Sequence, residues 1–251
     1  MNSKNRKLED FIDLDRYPIH QLNSAKGETL LKSCHNQIRN HSHCTLPGFL
    51  RQQAVDALSE EIRQLEPVAR QIDFLATPYG WLRNRDFPEE HPRSQLFPRR
   101  CGTITTEQIC SEGPSLALYQ LDELTEFVRR LLKFETLYRL ACPNIAVRVN
   151  IMRQGDEFGW HFDTNDGVVS FAIQNTNVGG EFEYAPLIRA EDDENYTDVA
   201  EIFSGTKPAK RATTPPGTFF LFMGRRSLHR VSRVEQTDQS RQSLLLSLIH
   251  I

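Results

Sequence analysis

The chain has 251 residues, of which 39% are apolar and 25% charged, and its formal net charge is -3. This balance fits an ordinary folded protein and excludes collagen-like, low-complexity and disulfide-dense scaffolds. With no strong charge of either sign there is no chain-wide footprint for nucleic acid or an anionic membrane, so neither is expected as a partner. The five cysteines, Cys34, Cys44, Cys101, Cys110 and Cys142, form no CxxC pair and are odd in number, which argues against a disulfide framework or a zinc knuckle. The opening residues MNSKNRKLEDFIDLDRY contain no apolar leader, and no later run approaches the length of a membrane span. A reducing, cytoplasmic setting is therefore expected.

Residues 1–45 are polar, carry His20, His35, His41 and His43, and have weak periodicity. They are expected to form an N-terminal extension to a single domain over 46–251. After the turn at Leu46-Pro47-Gly48, the run RQQAVDALSEEIRQL places Val55, Leu58, Ile62 and Leu65 at helical spacing, which predicts an amphipathic helix stopped by Pro67. Between Ile72 and Cys110 the chain is dense in proline, aromatics and arginine, and an ordered loop region is expected there. Its arginines, Arg83, Arg85, Arg93, Arg99 and Arg100, could face an anionic ligand or pair with Asp86, Glu89 and Glu90. The stretch LYQLDELTEFVRRLLKFETLYRLA predicts a second helix, with Leu121, Leu124, Phe127, Val128, Leu131 and Leu132 forming a stripe that packs on a sheet.

Beyond Cys142-Pro143 the pattern changes from helical to alternating. NIAVRVNIM sets Val147, Val149 and Ile151 on one face and Arg148, Asn150 and Met152 on the other. GVVSFAIQN, GGEFEYA, PGTFFLFMG, LHRVSRV and SLLLSLIHI follow, punctuated by turn residues. Two helices followed by many short strands predict an α+β protein, with helices on one face of a β-sandwich or barrel. The acidic stretch AEDDEN reads as an exposed loop, and the sequon Asn195-Tyr196-Thr197 as a chance match.

The chemistry is concentrated in GWHFDTND. In an extended strand His161 and Asp163 face the same side, so both can project into a pocket while Phe162 packs behind them. Alone, this is a common pattern, and Asp163 before Thr164-Asn165-Asp166-Gly167 also reads as a turn residue. Downstream stand His229, in GRRSLHRVSRV, and Arg241-Gln242-Ser243, twelve residues beyond that histidine. Two histidines and one carboxylate make the facial triad that holds Fe(II) and leaves positions open for a chelating cosubstrate and O₂. Arg241, with the Ser243 hydroxyl two residues on, suits the distal carboxylate of 2-oxoglutarate, because a guanidinium fork binds a carboxylate through two parallel hydrogen bonds.

WHFD through GGEFEYAPLIRAEDDENY, then PGTFFLFMGRRSLHRVSRVE and the RxSLLLS ending, resemble the Fe(II)/2-oxoglutarate-dependent oxygenases related to the radical halogenases and hydroxylases of free amino acids. FPEEHPR is similar to a segment upstream of the core in that group. The resemblance covers about residues 85–250 and is most specific at GGEFEY, with its following proline and arginine, and at GRxSLHRV. It implies a double-stranded β-helix, the jelly-roll or cupin-like core, with N-terminal helices packed on one face. It implies Fe(II), 2-oxoglutarate and O₂ as cofactor and cosubstrates. Halogenases of this group carry a small residue where Asp163 stands, so the resemblance implies hydroxylation here.

The family also implies a small amino acid or close derivative as substrate, with a homo-oligomer compatible with that role. Arg93 is the first candidate for the substrate carboxylate and Arg83 the second. Trp160 is a candidate for the pocket wall or the core, and Asn150 for the cosubstrate or an outer strand face. Phe158, three before His161, and Thr164, after Asp163, stand where relatives that bind basic amino acids favour polar or charged residues; this disfavours a lysine-like substrate. Gly179-Gly180 reads as a hairpin turn, and Glu181 and Glu183 as structural or substrate-orienting. Arg189 and Arg225 read as supports of neighbouring segments. The alternatives are a protein or peptide hydroxylase of the same mechanism, and a non-catalytic binding module on the same β-helix.

Overall fold

The alternation of NIAVRVNIM is realised in the computed structural model of the protein, which describes residues 7–80 and 86–249. Val147, Val149 and Ile151 are buried on one side of their strand, while Arg148, Asn150 and Met152 line a cavity on the other. In chain order the first elements are α1 (Leu8–Phe11), α2 (Ala25–His41), β1 (His43–Leu46), α3 (Gln52–Leu65), β2 (Arg70–Ala76), β3 (Phe97–Thr105), α4 (Pro114–Tyr119) and α5 (Asp122–Leu132). Then come β4 (Tyr138–Arg139), β5 (Val147–Met152), β6 (Glu157–His161), β7 (Val168–Gln174), β8 (Phe182–Ala185), α6 (Tyr196–Ser204) and β9 (Lys210–Ala212). The last are β10 (Phe219–Phe222), β11 (Leu228–Val231), β12 (Arg241–Leu246) and β13 (Leu248–Ile249).

Apart from the pair β4 and β13, the strands form one curled antiparallel sheet in the order β1-β10-β7-β12-β5-β3-β6-β11-β8-β9, with β2 paired to β3. From β5 onward, the chain alternates between the run β10-β7-β12-β5 and the run β6-β11-β8-β9, except that β8 and β9 follow one another in the second run as an antiparallel pair. That alternation is the jelly-roll winding, and it encloses a space between two facing runs. β3 joins the runs, pairing with β5 through residues 102–105 and with β6 through Arg99 and Arg100. The protein is thus α+β with a double-stranded β-helix core, as the sequence resemblance implied.

The outer face of the first run carries the main core. Val149, Phe171, Phe219 and Leu244 share it with Leu58 and Ile62 of α3 and with Phe127 and Val128 of α5. Burying each such Leu or Phe stabilises the fold by about 1.5–3 kcal/mol. α5 starts at Asp122, one residue after Leu121, and ends where Lys133 takes a left-handed conformation at φ 58. The predicted helix over Leu118–Ala141 is therefore shorter: Leu118 and Tyr119 end α4, and its last part forms β4. No helix among the described residues is long and apolar enough to cross a membrane.

Three segments differ from their sequence reading. Residues 7–46 share the main core through Leu8, Phe11, Ile12, Leu31, Cys34 and Cys44, and β1 adds a strand beside β10. Their signal is weak because α2 buries only Gly27, Leu31 and Cys34 across 17 residues. Gly27 is required at the start of α2, since a Cβ there would stand 2.2 Å from the Gln21 carbonyl oxygen. The segment read as irregular contains β2 and β3; exposed residues on β2 and Pro98, Arg99 and Arg100 on β3 conceal the period of two. α6 carries little sequence signal because it buries only Val199 and Ile202.

His43 on β1 carries a pH-dependent contribution to stability. Its Nε2 lies 3.1 Å from the Tyr184 hydroxyl and its Nδ1 2.9 Å from Thr45 Oγ1. Burial, with help from the charges of His41 and Lys210, pushes its pKa from 6.5 down to about 4. The unfolded chain takes up this proton near pH 6.5 while the fold resists until about 4, so stability falls as pH drops through that window. Denaturation midpoints should decrease between pH 7 and pH 5, and His43→Gln should flatten the slope.

Candidate metal centre

The register of β6 against β11 puts His161 directly opposite His229, with ring centroids 3.9 Å apart. β6 ends at His161, and the chain then turns. Phe162 N–H donates to the Pro78 carbonyl, and Asp163 N–H donates to the Gly224 carbonyl at 3.0 Å. This turn brings Asp163 Oδ1 to 3.7 Å from His161 Nε2 and Oδ2 to 3.4 Å from His229 Nε2. One potential ligand atom from each of the three residues lies within 4.8 Å of the others.

The imidazoles are prepared as neutral donors. His161 Nδ1 donates to the Gly159 carbonyl at 2.9 Å and His229 Nδ1 to the Ser227 carbonyl at 3.0 Å. Because a carbonyl only accepts, the proton belongs on Nδ1 and the Nε2 lone pair faces Asp163. Burial foremost, then the neighbouring His229 and Arg99, hold the His161 pKa well below 6.5. Burial also lowers that of His229, against the opposing pull of Asp163. Gly224 completes the cradle: a Cβ there would lie 1.8 Å from Asp163 Oδ2. Two neutral imidazoles and a carboxylate fit the donor set of a facial Fe(II) site.

A cavity of about 640 Å³ opens over this cluster, and Phe158, Thr164, Asn150, Arg241 and Ser243 all line it. Ser243 pairs with Asn150 and Arg241 with Met152 across β12 and β5. Arg241 Nη1 donates to Ser243 Oγ at 3.2 Å. Burial pushes the Arg241 pKa down to about 10, which still leaves a cation at neutral pH.

Two other sequence candidates lie elsewhere. Arg93 is absent from the cavity wall; its Nε donates to the Tyr196 hydroxyl at 2.5 Å, and its guanidinium lies 4.9 Å from the Tyr79 ring centre and 3.6 Å from Glu194. These contacts tie its loop to α6. Trp160 is buried on the strand face opposite His161, packed with Ile188, Val199 and Leu228 under the Arg230 guanidinium. Arg83 lies outside the described residues.

The supporting residues are accounted for by ion pairs and turns. Glu183 pairs with Arg211 and Arg230, Glu181 with Arg211, Arg189 with Glu194 and Arg225 with Asp166. Gly179 and Gly180 take φ 73 and 67 at the turn before β8.

Among the further residues on the cavity wall is Arg99, one of the five arginines that could face an anionic ligand. It is 6% exposed, its guanidinium lies 4.4 Å from the Phe158 ring centre, and its buried Nη1 has no hydrogen-bond partner among the described residues. Burial lowers its pKa to about 10, with Asp163 opposing. In the sequence it is one arginine among five in a run, and only the pairing of β3 separates it from the others.

Similar folds occur in solved structures. A 2OG-Fe(II) oxygenase family oxidoreductase from Burkholderia pseudomallei is 14% identical, with 87% of this chain and 90% of that chain covered at a TM-score of 0.53. The epimerase SnoN, solved with Fe3+, alpha ketoglutarate and nogalamycin RO, is 13% identical over 88% of this chain and 84% of its own, at 0.56. A prolyl hydroxylase from Trichoplax adhaerens, in complex with a hypoxia inducible factor peptide fragment, is 12% identical over 98% and 95%, at 0.54. No curated protein matches the chain significantly. The sequence profile of the Halogenase D family matches residues 26–247, nearly the whole jelly roll with its helices, and the chain belongs to that family.

Proposed function

We propose that this protein is an Fe(II)- and 2-oxoglutarate-dependent oxygenase that hydroxylates an unactivated C–H bond of an amino acid or small amino-acid derivative. The observation that carries the reading is the convergence of two neutral imidazole Nε2 atoms and the Asp163 carboxylate at the floor of a cavity that also holds Arg241 and Ser243. His161, Asp163 and His229 would hold the iron, and Arg241 with Ser243 would orient the distal carboxylate of 2-oxoglutarate. When bound, iron with 2-oxoglutarate supplies the oxidising power, coupling cosubstrate decarboxylation to oxygen insertion.

The protein's share is geometric. The Gly159 and Ser227 carbonyls fix both imidazole rings, Gly224 leaves room for the Asp163 carboxylate, and Phe158 and Phe222 help to exclude water from the cavity. Although the family carries the name of a halogenase, the carboxylate of Asp163 stands where halide would need an open position. Hydroxylation is the outcome this favours.

The test is anaerobic loading with Fe(II) and 2-oxoglutarate, then O₂-dependent succinate release and product mass across a panel of amino acids and their derivatives. A mass gain of one oxygen without halogen, in chloride buffer, is expected. Arg241→Leu should raise the 2-oxoglutarate KM by roughly 30-fold or more, because losing a buried charge-assisted pair costs at least about 2 kcal/mol. Unchanged 2-oxoglutarate dependence in that variant would remove Arg241 from its assigned role.

A further inference from the structure

Resting on the oxygenase reading, we propose that the substrate is an amphiphilic carboxylate. Its anionic head is seated on Arg99 beside the metal centre, and its apolar body lies over Phe74, Leu75 and Leu96 toward the cavity mouth.

The head group follows from an orphaned cation beside the metal centre; Arg148, on the same cavity wall, also has a buried Nε without a partner among the described residues. Arg99 is 6% exposed and lines the cavity, yet its buried Nη1 finds no acceptor among the described residues. A buried, unpaired N–H on a charged group is costly, and an entering carboxylate removes the cost through a charge-assisted hydrogen bond. Arg241 is a separate seat. β5 stands between β12 and β3 in the sheet, so the strands carrying the two arginines are roughly 10 Å apart at ordinary strand spacing. Three arginines line the cavity, Arg99, Arg148 and Arg241. Arg241, bonded to Ser243, is the seat for the cosubstrate, and Arg99, packed on the Phe158 ring that touches His161, is the one beside the metal centre and the seat for the substrate.

The apolar body follows from the register. Phe74 pairs opposite Arg99 across β2 and β3, and Arg99 pairs opposite Phe158 across β3 and β6. Side chains directly opposite share a sheet face, so Phe74, Arg99 and Phe158 form one row. The outer end of this row is open: Phe74, Leu75 and Leu96 line the cavity while remaining 55%, 63% and 56% exposed. Large apolar side chains grouped at a cavity mouth mark a binding surface rather than a core. A volume near 640 Å³ lies within the range of about 300–1,000 Å³ that encloses drug-sized ligands. A small free amino acid would leave this rim bare, whereas a neutral apolar ligand would leave Arg99 unpaired. An N-acylated amino acid satisfies both.

Binding to the anaerobic full-length protein, loaded with Fe(II) and 2-oxoglutarate, tests this by calorimetry. The probes are N-octanoyl-glycine, N-octanoyl-leucine and N-octanoyl-phenylalanine, their uncharged carboxamides, and the three free amino acids. At least one acyl acid should bind tenfold or more tightly than both its carboxamide and its free amino acid. Arg99→Gln should erase the acid-over-amide preference, Arg99→Lys should retain part of it, and Phe74→Ser should weaken acid and amide together. Acids and amides binding alike, free amino acids binding as tightly as the acyl acids, or an unchanged ratio in Arg99→Gln would each overturn the proposal. The wild-type ratios decide it even if an Arg99 variant fails to fold. Iron and 2-oxoglutarate binding is measured first on the same samples. Protein that binds neither overturns the oxygenase reading along with this inference, while protein that binds both without the acyl-acid preference overturns this inference alone.

Discussion

Replacing Asp163 with glycine is expected to cut hydroxylation by roughly 100-fold or more and to weaken Fe(II) binding, since even residues behind metal ligands cost 10- to 100-fold when lost. The backbone of the turn should survive. Its anchor is the Asp163 N–H donating to the Gly224 carbonyl, which glycine retains. What is lost is the carboxylate between His161 Nε2 and His229 Nε2. In a family named for halogenation, the opened position is expected to admit chloride or bromide. Product mass in buffers of each halide reads the outcome, with halogenated product predicted from Asp163→Gly and none from the parent protein. Full hydroxylase activity in the variant would show that Asp163 is not a ligand.

Gly224→Ala should damage the same centre without touching any proposed ligand. The new Cβ would meet Asp163 Oδ2 at 1.8 Å, Cγ at 2.6 Å and Cβ at 2.9 Å. Contact along the whole side chain leaves a small rotation no way to relieve it, so the carboxylate must leave its place between the histidines. A loss of tenfold or more in Fe(II) affinity is expected from the displaced ligand. Anaerobic iron titration measures it, and a thermal melt separates it from unfolding. Because both substitutions act through one carboxylate, their effects should not add. In an Asp163→Gly background, Gly224→Ala should cost little further iron affinity. Iron binding by Gly224→Ala equal to that of the parent would mean that the carboxylate does not pack against Gly224.

The strongly periodic parts of this protein were legible in its sequence. Val55, Leu58 and Ile62 announce α3, and the alternation of Val147, Val149 and Ile151 announces β5 with its inner and outer faces. Weakly amphipathic parts were not. α2 and β2 each bury too few side chains to impose a period, and their places come from neighbours that cover them.

The residue types of the candidate centre, and their order along the chain, are properties of the sequence. The two-residue spacing of His161 and Asp163 and the spacing from His229 to Arg241 are visible before any folding, although β6 ends at His161 and it is the turn after it that carries Asp163 to the histidines. Tertiary structure decided which other side chains join them. The β3 register brings Arg99 to the cavity and ties it to Phe74 and Phe158, while Arg93, six residues earlier, is captured by Tyr196 and Glu194. Trp160 neighbours His161 in sequence yet is buried on the opposite strand face. Gly224 became necessary only when the turn after β6 laid Asp163 across it. The physical reason is that local periodicity is a short-range property of the chain. Which arginine finds an acceptor, and which is left buried facing a cavity, depends on strand pairings between residues far apart in sequence.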